Sequence, residues 1–200
     1  MPQEPARSVD SNVRAPGDAT LGGLNLRVGD VIAEKYEIEG VLGAGGVGVV
    51  VAAHHRGLGE RVAIKLLHAD AAKSEENLAR FAREARALAR LRSEHVARVM
   101  DSGTLTTGEP YLVLEHLEGR DLSVVLRERV RLPLEDAIDH VVQACEGVAV
   151  AHAHGVVHRD LKPANLFLAR GPDGRPCVKV LDFGISKLQP GASELRDHAL

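Results

Sequence analysis

Aromatic and sulfur side chains are scarce in this chain. Its 200 residues hold no tryptophan, two tyrosines and three phenylalanines, so a base-stacking platform for single-stranded nucleic acid has almost nothing to be built from and the core must be aliphatic. Cys145 and Cys177 are its two cysteines, 32 residues apart and in no CxxC pair. That excludes a disulfide framework and a thiolate zinc site, and makes a reducing compartment the expected setting. Neither sign of charge dominates: 25 Lys and Arg face 28 Asp and Glu, for a formal net charge of −3, and no nucleic-acid partner is expected. Long apolar runs are lacking too. The two longest, Val47–Ala53 and Gly147–Val157, fall far short of the roughly 18 residues of a membrane span. The first twenty residues have neither the basic start nor the apolar run of a secretory signal. No membrane contact is expected within the chain, and the expected location is cytoplasmic.

What is present is pattern. Two hundred residues leave room for two small lobes. Residues 1–34 read as a disordered tail, with Pro2, Pro5 and Pro16, and a lead-in. Over 35–117 the sequence predicts five antiparallel strands and one helix. The strands are Tyr36–Leu42, Val47–Ala53, Arg61–Leu67 with Lys65 inside it, and a hairpin of Val96–Met100 and Tyr111–Leu114. Ser74 is the predicted N-cap, with Glu75 and Glu76 where the helix dipole favours them. Leu78, Phe81, Ala82, Ala85, Leu88 and Ala89 then recur at helical spacing to about Leu91. Over 118–200 the prediction is mainly helical: Leu134, Ala137, Ile138, Val141, Val142, Cys145, Val148 and Ala149 mark a long helix. Short segments follow around His158–Leu168 and Val178–Leu181, where charges interrupt apolar residues. The fold class is α+β.

Gly43, Gly45 and Gly48 satisfy GxGxxG, a weak signal where 20 of 200 residues are glycine. A dinucleotide fold needs such a cluster to open a helix, and here it opens a β-branched strand. A P-loop needs Gly-Lys followed by Ser or Thr, which does not occur. What remains is a glycine hairpin whose backbone can approach phosphates closely. A plain surface hairpin is the bland alternative for an isolated match.

The match is not isolated. Val62-Ala63-Ile64-Lys65 comes one strand later, His158-Arg159-Asp160-Leu161-Lys162-Pro163-Ala164-Asn165 follows the long helix, and Asp182-Phe183-Gly184 comes after a short hairpin. In order and context these resemble the glycine loop, VAIK lysine, HRDLKxxN catalytic loop and DFG of the eukaryotic-like (Hanks-type) protein kinases. Lys162 after the HRD is similar to the serine/threonine branch. The Gly43–Gly48 loop and the Ala153–His158 approach are similar to bacterial members. The resemblance covers about residues 36–188 and implies a two-lobed protein-kinase-like fold, incomplete in its second lobe because no APE follows the DFG. It implies ATP- and Mg²⁺-dependent transfer of a γ-phosphoryl group to Ser/Thr hydroxyls of protein substrates.

The resemblance also assigns roles. Lys65 would reach the α- and β-phosphates, with Glu84 as its anionic partner. Glu84 falls at the margin of the predicted helix's buried stripe, where a carboxylate can turn inward. Asp160 would take or orient the substrate hydroxyl proton, Lys162 would sit on the γ-phosphate, and Asn165 and Asp182 would ligate Mg²⁺. Gly171-Pro172-Asp173-Gly174 would fold the chain back so that these converge. Gly43, Ala44, Gly45, Gly46, Val47 and Gly48 would cradle phosphates. The adenine pocket would take Leu42 and Val50 above, Ala63 behind, Phe167 below and Leu114 at the gate, with Glu115 to Leu117 as hinge. Arg159 implies regulation by a phosphate on the activation segment. Leu88, Val99, His158 and Phe183 resemble the hydrophobic column joining the lobes.

Two rivals carry less weight. His152, His154 and His158 form HxHxxxH, but Gly155 breaks the helix that would align them for a metal; His152 and His154 are expected as packing residues at a helix end. The other rival is a non-catalytic ATP-binding fragment or scaffold, since the chain stops before APE. Against it, Lys65, Asp160 and Asp182 are all retained.

Overall fold

The computed structural model describes residues 24, 26–45, 48–68, 72–129, 131–171 and 174–183, without the side chain of Glu84. Six strands form one antiparallel sheet: β1 (Val31–Ile32), β2 (Tyr36–Gly45), β3 (Gly48–His55), β4 (Glu60–Leu67), β5 (Val99–Thr104) and β6 (Pro110–Glu115), in the order β1-β2-β3-β4-β6-β5. The five expected strands are therefore joined by a short sixth from the lead-in, whose Ile32 is buried, as is Leu24. The strand expected at Val96–Met100 starts later, at Val99. Val96 instead bridges Val180 in parallel, so the front of that apolar run serves the second lobe.

Alternation along the strands decides what faces the cleft. On β4, Val62, Ile64 and Leu66 enter one buried cluster with Val49 and Val51 of β3 and Tyr111 and Val113 of β6. The residues between them point the other way. In register, Val50 lies opposite Lys65 and Lys65 opposite Leu112, while Ala63 lies opposite Leu114. Two rows of side chains thus form one wall of the cleft, with a single lysine among aliphatic neighbours.

Helix α1 (Glu75–Leu88) starts at Ser74, whose Oγ accepts the Asn77 N–H at 3.3 Å. Its Phe81, Ala85 and Leu88 are buried in a second cluster together with Leu112, Val178, Val180 and Phe183. That cluster spans both lobes. After β7 (Gly119–Asp121) come two helices, α2 (Leu122–Arg129) and α3 (Leu134–Ala153), then a 3₁₀ turn at Pro163–Asn165 and the hairpin β8 (Leu166–Arg170) and β9 (Pro176–Val180). β7, β8 and β9 form a three-stranded antiparallel sheet, so the second lobe is less purely helical than the periodicity suggests.

α3 turns three small residues and His140 inward and four large aliphatic residues outward. Ala144, Gly147 and Ala151 are buried, whereas Leu134, Ile138, Val141 and Val142 stand exposed. Gly147 allows the close approach: a Cβ there would lie 2.5 Å from the His95 carbonyl oxygen. His152 and His154 are both exposed and are not packing residues. His154 Nδ1 lies 2.9 Å from the Val150 carbonyl at the helix end, where polar groups find water. Cys145 is exposed and Cys177 buried, both as free thiols. Among the described residues no helix is long and apolar enough to cross a membrane.

Candidate active site

The cleft between the two sheets holds a cavity of about 310 Å³. Its lining includes Leu42, Gly43, Val50, Ala63, Lys65, Leu114, Glu115, Leu117, Phe167 and Asp182, so the residues expected of the adenine pocket and its hinge, His116 apart, meet in one place. Ala44, Gly45 and Gly48 lie on the β2–β3 hairpin above it and outside its lining. Gly46 and Val47 lie outside the described residues. Further lining comes from Leu88 of the expected column and Ala164 of the catalytic-loop motif, and from Ala97, Leu112, Asp121 and Leu181, which sequence motifs did not single out. Most of these are aliphatic, and only their position distinguishes them from ordinary core residues.

Lys65 is 6% exposed, and its Nζ donates to Asp182 Oδ1 at 2.6 Å. A buried ammonium needs such an anion, because an uncompensated charge would be costly in the low-dielectric wall. That Asp182 meets Lys65 was not expected: the partner expected of Lys65 is Glu84, which α1 carries but whose side chain lies outside what is described.

The loop before β8 is built around one histidine. His158 is buried, and its Nε2 lies 2.7 Å from the Leu181 carbonyl while the Asp160 backbone N–H donates to its Nδ1 at 3.3 Å. These two bonds select the neutral tautomer with the proton on Nε2. Its ring packs on Phe183 with centroids 4.8 Å apart, and Leu88, with Val99 packed alongside, shares Phe183's cluster. The expected column of Leu88, Val99, His158 and Phe183 is thus assembled. The Leu181 N–H donates to the Asn165 carbonyl at 2.9 Å. Both backbone poles of Leu181 are therefore spent on this loop, which brings Asp182 beside it. Asp182 (φ 54°) and Arg159 (φ 63°) occupy the left-handed region, a strained conformation for residues with side chains.

Lys162 Nζ donates to Asp160 Oδ2 at 2.9 Å, and Asn165 Nδ2 donates to the Asp160 carbonyl at 2.8 Å. With its amide nitrogen so engaged, Asn165 has its amide oxygen left as a donor atom for a cation. Asp182 uses Oδ1 for Lys65 and retains Oδ2. Neutral amide and carboxylate oxygens are the hard donors Mg²⁺ prefers, so the residues fit that ion. The turn expected at residues 171–174 closes through Gly174 N–H to the Gly171 carbonyl at 3.0 Å; Pro172 and Asp173 lie outside the described residues. No cluster of three His, Cys, Asp or Glu side chains suited to a metal occurs among the described residues.

Comparison with known proteins agrees with this geometry. The family profile described as "protein kinase domain" matches residues 36–199. The serine/threonine-protein kinase Pkn1 of Myxococcus xanthus is 42% identical over 190 residues, which are 90% of this chain and 26% of that protein. The serine/threonine-protein kinase PknA of Mycobacterium tuberculosis is 39% identical over 168 residues, 82% of this chain and 38% of that one. The crystal structure of the M. tuberculosis PknI kinase domain superposes with a TM-score of 0.70 at 29% identity, covering 81% of this chain and 62% of the solved one. The chain thus spans between a quarter and two fifths of these curated relatives.

Proposed function

Because this chain belongs to the protein kinase domain family, we propose that it transfers the γ-phosphoryl group of ATP to serine or threonine hydroxyls of protein substrates. The observation that supports this reading best is the convergence, at one cleft, of the Lys65–Asp182 pair with Asp160, Lys162 and Asn165. The choice of Ser/Thr follows the names of the two relatives and Lys162 after the HRD.

Phosphoryl transfer needs positioning and charge neutralisation more than covalent help from the protein. The adenine would enter the aliphatic slot between Val50 and Ala63 on one side and Phe167 on the other, with Glu115 to Leu117 at its edge. Lys65 would neutralise the α- and β-phosphates and Lys162 the γ-phosphate. Asp160 would accept the hydroxyl proton as the new oxygen–phosphorus bond forms and the bond from the γ-phosphorus to ADP breaks. Asn165 and Asp182 would hold Mg²⁺, which when bound supplies further positive charge to the phosphates. His158 keeps Asp160 in place through its backbone, so the base is oriented before substrate arrives.

Incubation with labelled ATP and a generic protein substrate tests this. Label is expected on Ser or Thr, and Asp160→Asn is expected to lower the rate by about 10²–10⁴-fold. ATP binding with no transfer by the wild-type chain would instead favour the non-catalytic nucleotide-binding reading. No binding at all would remove both.

A further inference from the structure

One carboxylate oxygen outside the motif residues ties three segments together. Glu115 ends β6 and lines the cleft cavity. Its Oε1 accepts from Lys179 Nζ at 2.7 Å and from the Arg98 backbone N–H at 2.9 Å, while its own N–H donates to the Arg98 carbonyl at 3.0 Å. Lys179 belongs to β9 in the other sheet, so this is a bridge between the lobes. The two side chains are 17% and 22% exposed, well shielded compared with the solvent-screened pairs that contribute little.

The register shows what the bridge controls. Lys179 lies opposite Phe167, and Phe167 opposite Asp121. Residues directly opposite in an antiparallel sheet share a face, and Phe167 and Asp121 both line the cavity. Lys179 therefore stands beside the floor of the slot while its ammonium holds the end of the strand that forms the slot's edge. Residues 116–118 have no strand or helix of their own, and the anchoring of their two ends contributes to their placement, the Arg170 N–H donating to the Glu118 carbonyl at 3.3 Å at the lower one. Val62 pairs with Glu115 at the upper end; the link from Glu115 to the lower sheet is Lys179.

We propose that Lys179 is a positioning residue for the nucleotide: through Glu115 it sets the spacing between the hinge and Phe167, and with it the fit of the base. This rests on the reading that the cavity takes ATP. Lys179 touches no reacting group, so its loss acts on binding of the base and spares the chemical step.

The test compares wild type, Lys179→Met, Lys179→Arg and Glu115→Gln for ATP affinity, for KM and kcat, and for competition by inorganic tripolyphosphate. Lys179→Met is expected to raise the ATP Kd and KM by about tenfold with kcat within about twofold, and to leave tripolyphosphate inhibition unchanged. Lys179→Arg keeps a donor and a charge and is expected to stay within about twofold of wild type. Glu115→Gln, which keeps an acceptor but no charge, should fall between them. Thermal unfolding of each variant separates this from loss of fold, and Glu115→Gln carries the comparison if Lys179→Met does not fold. Unchanged ATP affinity in a folded Lys179→Met or Glu115→Gln, or a fall in kcat at constant KM, overturns the proposal while leaving the kinase reading intact. A wild-type chain that binds no ATP overturns the kinase reading, and the role of Lys179 with it.

Discussion

Tyr36 shows how one buried phenol links packing to pH. It is almost fully buried in the first-lobe core, stacked edge-on with His55 at 5.0 Å, and its hydroxyl donates to Asp101 Oδ2 at 3.0 Å. Burial first, and then the hydrogen bond and charge of Asp101, push its ionisation well above the ordinary value of 10.0. Burial raises Tyr111 in the same direction. An unfolded chain loses the phenolic proton near pH 10 while the folded one retains it, so the folded state binds more protons and stability falls as pH rises beyond that point. Tyr36→Phe removes the ionisation together with its hydrogen bond. Urea midpoints measured from pH 9 to 11 should therefore fall less steeply in Tyr36→Phe than in wild type; parallel slopes would rule this linkage out. At this scale the sequence was most informative where the proposed chemistry demands one residue type, as at Lys65, Asp160, Asn165 and Asp182. It was silent on Lys179, whose part depends on a carboxylate 64 residues away.

Among the elements, the glycine loop divides into two kinds of glycine. A Cβ at Gly43 would meet no heavy atom within 4 Å, but one at Gly48 would lie 2.0 Å from the Leu66 carbonyl oxygen of β4. Gly48 is thus required by the approach of two strands, whatever occupies the cleft, and the neighbouring backbone has to move to admit a methyl group. Gly48→Ala is expected to cost about 1–3 kcal/mol of stability, and Gly43→Ala less than about 0.5 kcal/mol. Urea denaturation of the two variants checks this, and equal midpoints would refute it. The GxGxxG pattern could not reveal the division, because both glycines satisfy it equally. α2 escaped the sequence reading for a related reason. Its start is marked by Asp121, whose Oδ1 accepts the Ser123 and Val124 N–H groups at 2.9 and 3.1 Å and also takes the Ser123 hydroxyl. An aspartate before Leu-Ser-Val-Val is a helix start only if it is seen to cap, since β-branched residues read equally well as strand.

The whole molecule is held by a core that ignores the division into lobes. Leu88 of α1, Leu112 of β6, Ala144 of α3, Val180 of β9 and Phe183 share one buried cluster, and Val180 exchanges backbone hydrogen bonds with His95 and Ala97 of the segment between α1 and β5. Against that shared interior, the outer face of α3 presents Leu134, Ile138, Val141 and Val142 to solvent. Apolar surface of that kind attracts apolar solutes. The 200-residue chain is expected to bind a hydrophobic dye, and Ile138→Lys with Val142→Glu to cut the binding without lowering the unfolding midpoint, because those side chains support no packing here. A lowered midpoint would show that they do. Periodicity located α3 but could not rank its faces, since aliphatic residues occur all round it.

Composition and motif order were sufficient to reach the family, the two-lobed fold, the strand that carries Lys65 and the residues proposed to handle phosphate. These are local properties, written in spacing and in side-chain chemistry, and a chain carries them before it folds. The tertiary structure alone decided which partner Lys65 meets, which glycine is sterically required, which helical face is buried and that Lys179 reaches the hinge. Each of those depends on two segments far apart in the chain arriving within about 3 Å of each other, a distance set by packing and backbone hydrogen bonds rather than by any single stretch of residues.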